Sequence, residues 1–591
     1  MAAQGHHPGG PIPPHGGPGP DYDVAILGSG LAGSMLAACL ARNGARVLIV
    51  DAASHPKFAI GESTIPATSM MMRLVSERYG VPEIKWLSTF EAVHSKVTTT
   101  CGVKRNFGFV YHRPGQRQNP RETHMFPIPK VTHTENHYFR QDVDAWMLSV
   151  AAKYGATVRQ QLRVSDVDID ADGVTLICAG DQSISARFVV DASGFRSVLA
   201  QKFALREEPT RFRHHSRSLF THMVGVRSYD EIATKRRYGH PSPWHEGTLH
   251  HLFRGGWLWV IPFDNHLRAV NPLCSIGLQL DPRIHPQPDC SPEEEFRRFV
   301  AQFPDLVPQF EHARAVRDWT RTGRLQYSSR QTVGYRWCLT SHAAGFVDPL
   351  FSRGLSNSME TMHALVHRLL DAIRDDDFSL ARFEYMQEFE QGLLDFNDDL
   401  VANAYTSFSD WRLWDAWFRI WSFGQFIATF EVNRAYSRYL DTRDASALEP
   451  LERPWWRGKV LPEDSPYAPV LELLWQANEI TQAVSLGQVD SGRAADQLLH
   501  MLQTADFVPP AWGLNDPDNQ WTDASFLEIA QTLRWAKRKA PRAVGDLIYE
   551  GLTLFVRKRF APGEFAIGEE LKHALARWPV VGPRLRVPAP R

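Results

Sequence analysis

The sequence has few of the features that mark secreted, membrane-bound or nucleic-acid-binding proteins. Its 591 residues include 6 cysteines, and none of them forms a C-x-x-C pair, so neither a disulfide framework nor a zinc site is indicated. The net charge is -1, with 65 basic and 66 acidic residues, which gives no general attraction to nucleic acid. We therefore expect a cytoplasmic protein with reduced thiols.

Two segments near the start of the sequence have a composition or length that bears on targeting and membrane insertion. Residues 1–20 are rich in glycine and proline and lack the apolar centre of a signal peptide, which predicts a disordered tail. The uncharged run Val24–Ala41 approaches the length of a membrane span, but its glycines fit a strand, a turn and a helix better. We therefore expect no membrane partner.

What the sequence does contain is a dinucleotide-binding pattern. An apolar strand precedes G-x-G-x-x-G, a helix follows it, and a second apolar strand ends at Asp51. Gly28 permits the tight turn, Gly30 lets the backbone approach a pyrophosphate, and Gly33 lets the helix pack on the strand. Asp51 is placed to accept hydrogen bonds from a ribose. The predicted strands are 23–27 and 45–50, the predicted helix is 31–43, and the predicted contacts are Gly28, Gly30, Leu31, Ala32, Gly33 and Asp51.

The motif alone does not choose between FAD and NAD, but two later segments favour FAD. One apolar strand ends at Asp191 and is followed by Gly194, and another leads through small residues to Asp348. Ligands of open α/β sheets lie at such strand ends, so three distant segments predict a long cofactor. FAD fits, and no second G-x-G-x-x-G is visible for a nicotinamide. We expect Asp191, Gly194 and Asp348 to contact FAD.

Four further stretches carry residues suited to chemistry. They are "IGESTIP" with Glu62 and Ser63, "CGVKRNFGFVYHRPG" with Lys104, "HYFRQDVDAWML" with Arg140 ahead of a helix, and "GGWLWVIPF" with Trp257, Trp259, Ile261 and Pro262. Together with the glycine motif, this ordered set resembles the flavin-dependent halogenases over about residues 21–590. "RNFGFVYHRPG", "WHEGTLHH" and "DPLFSRGL" are similar to the branch that acts on free phenols and pyrroles, as in the pyrrolnitrin and chlortetracycline pathways.

The resemblance implies a fold and an activity. The fold class is α/β (α+β): a Rossmann-like flavin-monooxygenase core with an inserted antiparallel substrate sheet over residues 21–375, and a helical C-terminal region over residues 376–591 that caps the substrate site. The implied enzyme takes reduced FAD from a separate flavin reductase. With O2 and chloride or bromide it forms hypohalous acid, which travels through a tunnel to a lysine beside a small aromatic substrate. The implied assembly is a monomer or homodimer active in antibiotic biosynthesis.

By match to the family, Lys104 is the catalytic lysine. A partly desolvated lysine has a lowered pKa and is both a donor and a nucleophile, which suits it to hold an electrophilic halogen. The alternative is a lysine on a solvated strand face. Glu62 and Ser63 match the strap between flavin and substrate, although Ser63 is also placed to cap the next helix.

The remaining implied residues lie near the flavin. Arg140 is expected to contact FAD. The stretch Trp257, Trp259, Ile261 and Pro262 is expected beside the flavin and the tunnel, and ordinary sheet core is compatible with the same residues.

The loop "GFVDPLFSRGLSNSME" leads into a helix predicted from Leu355 to Leu370. We expect Asp348 near the ribityl chain, and we expect the peptide N–H groups of Ser352, Arg353 and Gly354 to bind halide at the helix N-terminus. Tryptophan halogenases carry a glutamate directly after Pro-Leu, where this chain has Phe351. The substrate is therefore not expected to be free tryptophan, and the general base remains unnamed.

Three alternatives stay open. The stretch "WHEGTLHH" contains residue types that bind metals (His245, Glu246, His250, His251). Their spacing fits no zinc pattern, so strand residues that face a cavity are favoured over a metal site. Tryptophans recur at helical spacing at Trp411, Trp414, Trp417 and Trp421, which favours core packing over the wall of an aromatic pocket. The competing functions are a flavin-dependent aromatic hydroxylase and a non-catalytic flavoprotein.

Overall fold

The computed structural model describes residues 20–128, 134–180, 182–453, 467–522 and 525–560. The predicted N-terminal tail lies outside these ranges except for Pro20, and so does the last part of the predicted helical region, 561–591. All six cysteines fall within the described residues, and all are free thiols.

The described chain forms the following strands: β1 (Tyr22–Leu27), β2 (Val47–Val50), β3 (Gly102–Lys104), β4 (Asn106–Tyr111), β5 (Thr123–Pro127), β6 (Glu135–His137), β7 (Thr157–Arg159), β8 (Val164–Ile169), β9 (Val174–Cys178), β10 (Gln182–Asp191), β11 (Arg217–Val224), β12 (Thr248–Phe253), β13 (Gly256–Pro262), β14 (Cys274–Leu280), β15 (Arg314–Ala315), β16 (Thr320–Arg321), β17 (Val333–Gly334) and β18 (Trp337–Leu339).

The helices are α1 (Leu31–Arg42), α2 (Pro66–Tyr79), α3 (Pro82–Trp86), α4 (Phe90–Lys96), α5 (Arg140–Lys153), α6 (Val198–Lys202), α7 (Lys235–Tyr238), α8 (Pro292–Val300), α9 (Val307–Phe310), α10 (Arg353–Asp375), α11 (Leu380–Ser407), α12 (Trp411–Thr442), α13 (Glu449–Glu452), α14 (Ala468–Ser485), α15 (Ser491–Thr504), α16 (Phe526–Arg538) and α17 (Arg542–Phe560).

The first sheet has a parallel centre and carries the predicted dinucleotide motif. β1 pairs in parallel with β2 and β10, β2 pairs in parallel with β7, and β10 pairs in parallel with β18. β1, β2 and β18 are almost fully buried on both faces, which is the usual pattern of parallel sheets. The carboxyl ends of β1, β2, β10 and β18 therefore meet at one edge, where a ligand of such a sheet binds.

The boundaries differ slightly from the sequence predictions. β2 begins at Val47 because the N–H of Ala45 still bonds the carbonyl of Leu40, in the turn that ends α1. α10 begins at Arg353 and ends at Asp375, so it is longer at both ends than its apolar pattern indicates. Polar residues extend a helix readily once its apolar face is packed.

The second sheet has the strand order β15-β11-β14-β13-β12-β4-β5, with β16 also paired to β11. Its pairs are antiparallel except β4 with β12, which run parallel. A separate two-stranded sheet pairs β3 with β6 in antiparallel orientation. The predicted α/β (α+β) class, with an inserted and mostly antiparallel sheet, is confirmed.

After α10, the described chain is helical as far as Phe560. These helices share one continuous apolar core with the parallel sheet, and a smaller core lies behind β11 to β14. α12 is the longest helix at 32 residues and packs against α2, α14, α15 and α17. Among the described residues, no helix combines the length and apolar character needed to cross a bilayer.

Candidate active site

The loop between β1 and α1 has the geometry that its glycines predict. Gly28 has φ +104, and a β-carbon there would lie 2.7 Å from the carbonyl oxygen of Ala192. A β-carbon on Gly33 would lie 2.2 Å from the carbonyl oxygen of Gly28, so helix and strand touch. A β-carbon on Gly30 would meet open space, and α1 has no side-chain cap. Free N–H groups facing open space suit a pyrophosphate.

Asp51 ends β2 beside this loop, and the protein itself already engages its carboxylate. The N–H and hydroxyl of Ser29 donate to it at 2.8 and 2.7 Å, the N–H of Ala53 donates at 2.8 Å, and Lys57 forms an ion pair with it. Burial works to raise the pKa of Asp51, but the hydrogen bonds from Lys57 and Ser29 outweigh burial and hold that pKa below its ordinary value. This strand end therefore carries an oriented, ionised carboxylate.

The acids at the two other strand ends are also engaged. Asp191 accepts hydrogen bonds from Ser193 and Ser197 and from the N–H of Leu199, so its side chain fixes the turn after β10. Asp348 lies within 3.2 Å of donors on three further residues, His214, Ser216 and Tyr405. Neither side chain lines the cavity described next, whereas Gly194 does.

A cavity of about 550 Å³ lies at the carboxyl edge of the parallel sheet, between that sheet and the second sheet. It gathers many residues that the sequence predicted for the flavin end: Glu62, Ser63, Arg140, Gly194, Trp257, Trp259, Ile261, Ser352 and Gly354. The three β13 residues alternate along the strand, so one face of the strand points into the cavity. Pro262 and Arg353 do not line it. We call this space the flavin cavity.

Two histidines that sequence reasoning did not assign to FAD also line the flavin cavity. Nε2 of His342 is buried and has no hydrogen-bond partner among the described residues. Burial, with the charge of Arg140, lowers the pKa of His342 to about 4, so the ring is neutral. An unpaired buried nitrogen in a cavity is what a polar cofactor would satisfy. His250 stacks on Phe109 and lines the same space, as favoured for that segment.

The segment 61–67 runs between the flavin cavity and a second cavity. Gly61, Glu62 and Ser63 line the flavin cavity, whereas Ile65, Pro66 and Ala67 line the second. Arg140 holds this strap: its guanidinium donates to the carbonyls of Ile60 and Gly61 at 2.8 and 3.0 Å and pairs with Asp144. The N-cap of α2 is Ile65, without a side-chain bond, so Ser63 does not cap the helix.

Glu62 is buried on the strap and faces His222 of β11. Its Oε1 lies 2.7 Å from His222 Nε2, and both side chains are 2% exposed. The N–H of Tyr138 donates to the carbonyl of Glu62 at 2.6 Å. These contacts fix the strap against β11 and against the residue that follows β6.

The second cavity, of about 150 Å³, is almost entirely apolar, and we call it the apolar cavity. Aromatic side chains from the sheet and from the C-terminal helices surround it: Phe107, Phe126, Phe418, Trp421, Phe426, Phe430 and Trp512. Its described polar lining comprises Lys104, Ser422, Gln425, Thr429, Thr522 and Glu528. A flat apolar ring suits such walls, because aromatic faces bury large area and orient a ring.

Lys104 lies in the wall between the two cavities. Its side chain is buried, which excludes the solvated strand face. Nζ donates to Ser63 Oγ at 2.8 Å and to the carbonyl of Thr64 at 2.7 Å, and it lies 4.7 Å from the centre of the Phe107 ring. Burial lowers the pKa of Lys104 to about 7, although Glu135 nearby favours the charged form. Both amine and ammonium are therefore accessible near neutral pH.

The loop after β18 reaches the flavin cavity at Pro349, Ser352, Gly354 and Leu355. Ser352 has φ 53, which turns the chain into α10. The Arg353 guanidinium is buried outside the cavity, 3.4 Å from Oε1 of Gln425 and 3.6 Å from Glu360. Of the predicted halide residues, Ser352 and Gly354 thus border the flavin cavity and the Arg353 side chain does not.

The Phe351 ring packs against three tryptophans of α12. Its ring is 4.3 Å from that of Trp421 and packs within 6.5 Å of Trp414 and Trp417. Three of these side chains form core, whereas Trp421 both packs there and lines the apolar cavity. The tryptophan series on α12 therefore contributes both to core packing and to the wall of an aromatic pocket.

The remaining residues of the histidine-rich stretch do not converge. His245 pairs with Asp264 at 3.4 Å, and His251 lies between His112 and Gln309. Across the described ranges, no group of three or more His, Cys, Asp and Glu side chains is placed to hold a metal ion.

Thr248 and Glu528 are functional candidates that sequence reasoning missed. Thr248 lies at the start of β12, inside the stretch "WHEGTLHH", and lines the flavin cavity. Glu528 lies on α16, more than 400 residues after Lys104, and lines the apolar cavity. No local motif marks either residue, because only the fold brings them to the site.

Comparison with known proteins agrees with this arrangement. The FAD binding domain family matches residues 21–376. The chain is 47% identical over 517 residues to the tetracycline 7-halogenase of Kitasatospora aureofaciens, covering 87% of this chain and 92% of that protein. It is 45% identical over 531 residues to the monodechloroaminopyrrolnitrin halogenase PrnC of Pseudomonas fluorescens, covering 88% and 93%.

Solved structures show the same fold beyond the FAD domain. The halogenase PltM, in complex with phloroglucinol and FAD, superimposes with a TM-score of 0.80 at 32% identity, covering 85% of this chain and 100% of that one. The similarity therefore includes the second sheet and much of the helical region. The protein is an FAD-dependent enzyme, and its chain belongs to the flavin-dependent halogenase family.

Proposed function

We propose that this protein uses reduced FAD, O2 and chloride or bromide to halogenate a free, electron-rich aromatic compound, and that Lys104 delivers the halogen. One observation carries the proposal: Lys104 lines the apolar cavity while its Nζ bonds Ser63, which lines the flavin cavity. The lysine is thus the polar contact between a space suited to the cofactor and a space suited to an aromatic ring.

The residues divide the work between the two spaces. Reduced FAD, when bound, would supply two electrons to O2, and the halide would supply the other two as it is oxidised, so that the products are hypohalous acid and water. The strap and the β13 aromatic face keep a bulky ring out of the flavin cavity. Lys104 then holds the oxidant, through an N–H bond or as a nucleophilic amine, against a ring in the apolar cavity.

The substrate class follows from the apolar cavity and from Phe351. A phenol or pyrrole is already electron-rich, and its own O–H or N–H stabilises the ring cation that precedes proton loss. It therefore needs less assistance than an indole held by a loop carboxylate, which this chain replaces with buried Phe351. The two relatives are named as halogenases of tetracycline and of monodechloroaminopyrrolnitrin, which supports this class.

The halide is proposed to bind where the loop enters α10. The N-terminal end of a 23-residue helix carries a positive dipole and free N–H groups, and Ser352 and Gly354 border the flavin cavity there. Bromide soaked into crystals and found by anomalous scattering beside these residues is the expected result. A bromide found only elsewhere contradicts the site.

The reduced cofactor is proposed to come from a separate flavin reductase. The sequence holds one G-x-G-x-x-G, and the FAD family accounts for it, which leaves no motif for a nicotinamide. We expect NADPH alone to give no turnover, and an added reductase with FAD to restore it.

A mass-spectrometric screen tests the whole proposal. The protein is incubated with reduced FAD, O2 and bromide or chloride against phenols, pyrroles and tetracyclic polyketides, both free and carrier-bound. We expect halogen isotope patterns in a free phenol or pyrrole, and loss of that product without halide. A gain of one oxygen atom, independent of halide and of Lys104, would instead indicate the aromatic hydroxylase.

A further inference from the structure

A chain of hydrogen bonds continues from Lys104 away from the apolar cavity. Lys104 Nζ donates to Ser63 Oγ at 2.8 Å, Ser63 Oγ lies 2.9 Å from Thr248 Oγ1, and Thr248 Oγ1 lies 2.9 Å from His137 Nε2. His137 Nδ1 lies 3.0 Å from the carbonyl oxygen of Pro262. All four side chains are buried.

The carbonyl of Pro262 fixes the direction of this chain. A carbonyl oxygen only accepts, so Nδ1 of His137 carries a proton and, in the neutral ring, Nε2 accepts. Burial lowers the pKa of His137 to about 3, so its ring is neutral at physiological pH. Thr248 must then donate to His137, and Ser63 must donate to Thr248. Each hydroxyl has one proton, so Ser63 Oγ remains an acceptor for Lys104.

The ordered chain determines what Lys104 presents to the apolar cavity. Two of its N–H groups are committed, one to Ser63 Oγ and one to the carbonyl of Thr64. The one remaining direction carries a lone pair in the amine and a third N–H in the ammonium ion. Because Lys104 lines the apolar cavity, this direction is the one available to a halogen species and a ring.

We propose that Thr248 and His137 are positioning residues for halogenation. They orient the Ser63 hydroxyl so that its oxygen accepts a hydrogen bond from Lys104, which leaves the third position on Lys104 Nζ free for the reaction. This inference rests on the proposed function, because it assigns that reaction to Lys104. Neither residue needs to touch the substrate, since both act through Ser63.

The charged and titratable groups around Lys104 set the sign of the expected effect. Glu135 on β6 favours the ammonium ion, whereas His137 and His250 are neutral because burial lowers each pKa to about 3. Without the Thr248 hydroxyl, the Ser63 proton loses its acceptor and turns toward the lysine nitrogen. That contact stabilises the amine, so the pKa of Lys104 falls.

Thr248→Val tests the chain, because valine keeps the shape and removes the hydroxyl. Thr221→Val is the matched control: Thr221 is a buried threonine of the same sheet, and its hydroxyl donates to the carbonyl of Arg317 at 3.0 Å, outside the chain. The measured quantity is halogenated product per FADH2 oxidised, followed against pH. We expect Thr248→Val to lower it about tenfold, which corresponds to the upper end of the range for one neutral hydrogen bond.

The pH profile separates positioning from simple loss of packing. We expect the Lys104 limb of the Thr248→Val profile to lie about one pH unit lower, with Thr248→Ser restoring both yield and limb. Equal yields and limbs for Thr248→Val and Thr221→Val would overturn the chain. If Lys104→Met still halogenates, the proposed function fails first, which is a different result.

A different observation concerns the opposite wall of the apolar cavity. Glu528 is the one carboxylate among the described residues that line it. Its Oε2 accepts the N–H of Ser525 at 2.7 Å, and Ser525 Oγ accepts the N–H of Glu528 at 3.3 Å, which together form a capping box at the start of α16. A carboxylate can accept about four hydrogen bonds, so the capping box leaves capacity for a ligand.

We also propose that Glu528 accepts a hydrogen bond from the O–H or N–H of the aromatic substrate, and so determines which ring carbon faces Lys104. This too depends on the proposed function. The helical region would then supply the carboxylate that the loop lacks at Phe351, but for orientation of a ring already able to react.

Glu528→Gln tests this role without removing the capping box, since an amide oxygen can still accept the Ser525 N–H. Ser525→Ala is the control that weakens the cap and keeps the carboxylate. The ligands are phloroglucinol and 1,3,5-trimethoxybenzene, and the readout is Kd by calorimetry on the FAD-loaded protein. We expect Glu528→Gln to weaken phloroglucinol binding about tenfold and to leave the ether unchanged.

The comparison of two ligands makes the result decisive. Ser525→Ala is expected to keep the wild-type preference for phloroglucinol over the ether. Wild-type protein without that preference, or equal losses for both ligands in Glu528→Gln, would contradict hydrogen bonding by Glu528.

Discussion

Lys104 Nζ donates a 2.8 Å hydrogen bond to Ser63 Oγ across the wall between the two cavities. Ser63 faces the flavin cavity and Lys104 faces the apolar one. The same nitrogen is bonded to the carbonyl of Thr64, so the strap holds the lysine from two adjacent residues. Under the proposed function, a reactive species made in the flavin cavity would therefore meet a fixed polar group before it met a ring in the apolar cavity.

Lys104→Met is expected to abolish halogenation while FAD still binds. Methionine keeps the length and apolar stem but supplies neither an N–H nor a nucleophile, and Lys104 does not line the flavin cavity. We expect product to fall by about three orders of magnitude, in the range of lost general acid–base catalysis. Product is measured by mass spectrometry and FAD affinity by fluorescence.

A second lysine provides the control. Lys57 pairs with Asp51 at the nucleotide end, so Lys57→Met is expected to weaken FAD binding and to keep halogenation at saturating FAD. Full chlorination by Lys104→Met would remove Lys104 from the mechanism.

The buried Lys104 also predicts a pH-dependent stability. Its pKa is about 7 in the folded protein, against 10.5 for an ordinary lysine, so between these values the unfolded chain binds the extra proton. Stability therefore rises as pH increases through this window, and the cost of burial is full below about pH 7. Lys104→Met removes that cost, so we expect the variant to be more stable by a few kcal/mol at pH 6.5, and by little at pH 10.

Urea unfolding of both proteins at the two pH values measures this difference. A stability gain in Lys104→Met of equal size at pH 6.5 and pH 10 would show that Lys104 is protonated in the folded state across the window. Lys57→Met, at a partly exposed site, is expected to show no gain at either pH.

Local geometry made part of the site predictable from the sequence. The spacing of Gly28, Gly30 and Gly33 fixes a turn and a helix contact within six residues, and the structure has both. Alternation along β13 likewise directs Trp257 and Trp259 to one side of a strand. Such short-range features depend on backbone periodicity and need no knowledge of the fold.

The sequence does not predict the site residues that come from distant segments, because their positions depend on which segments the fold brings together. Thr248, His342 and Glu528 reach the two cavities from three different parts of the chain. Asp191 and Asp348 show the converse: the sequence predicts their positions at strand ends, but it does not predict the hydrogen bonds that neighbouring side chains make to their carboxylates. An acidic residue at a strand end can bind a ligand or can accept hydrogen bonds from a neighbouring turn, and the sequence alone does not distinguish the two.

Two glycines of the phosphate loop are expected to respond differently to alanine. Gly30 has φ -66 and open space at its β-carbon, so Gly30→Ala should fold normally and place a methyl group where a pyrophosphate approaches. We expect at least tenfold weaker FAD binding with an unchanged Tm of the FAD-free protein. Gly33→Ala sets a β-carbon 2.2 Å from the Gly28 carbonyl oxygen, so we expect a loss of about 1–3 kcal/mol or more.

Thermal unfolding of the FAD-free variants, followed by FAD titration, separates these effects. The assignment of the loop to FAD fails if Gly30→Ala binds FAD as tightly as the wild-type protein does.

Phe351→Glu introduces the glutamate that tryptophan halogenases carry after Pro-Leu, and we expect it to destabilise this protein without changing its substrate. Phe351 is 1% exposed and packs on Trp421 and its neighbours, so Phe351→Glu places a carboxylate among aromatic rings. An unpaired buried charge costs several kcal/mol, and the group escapes by protonation or by local unfolding. We expect a lower Tm, which falls further as pH rises above 6 because the carboxylate ionises, and no chlorination of tryptophan.

Phe351→Leu, which leaves a small cavity without a charge, is the control. We expect its free energy of unfolding to fall by about 1–3 kcal/mol independently of pH, and we expect it to keep activity on phenols. Chlorotryptophan formed by a stably folded Phe351→Glu variant would show that this one position sets the substrate, in contradiction to the roles assigned here to the apolar cavity.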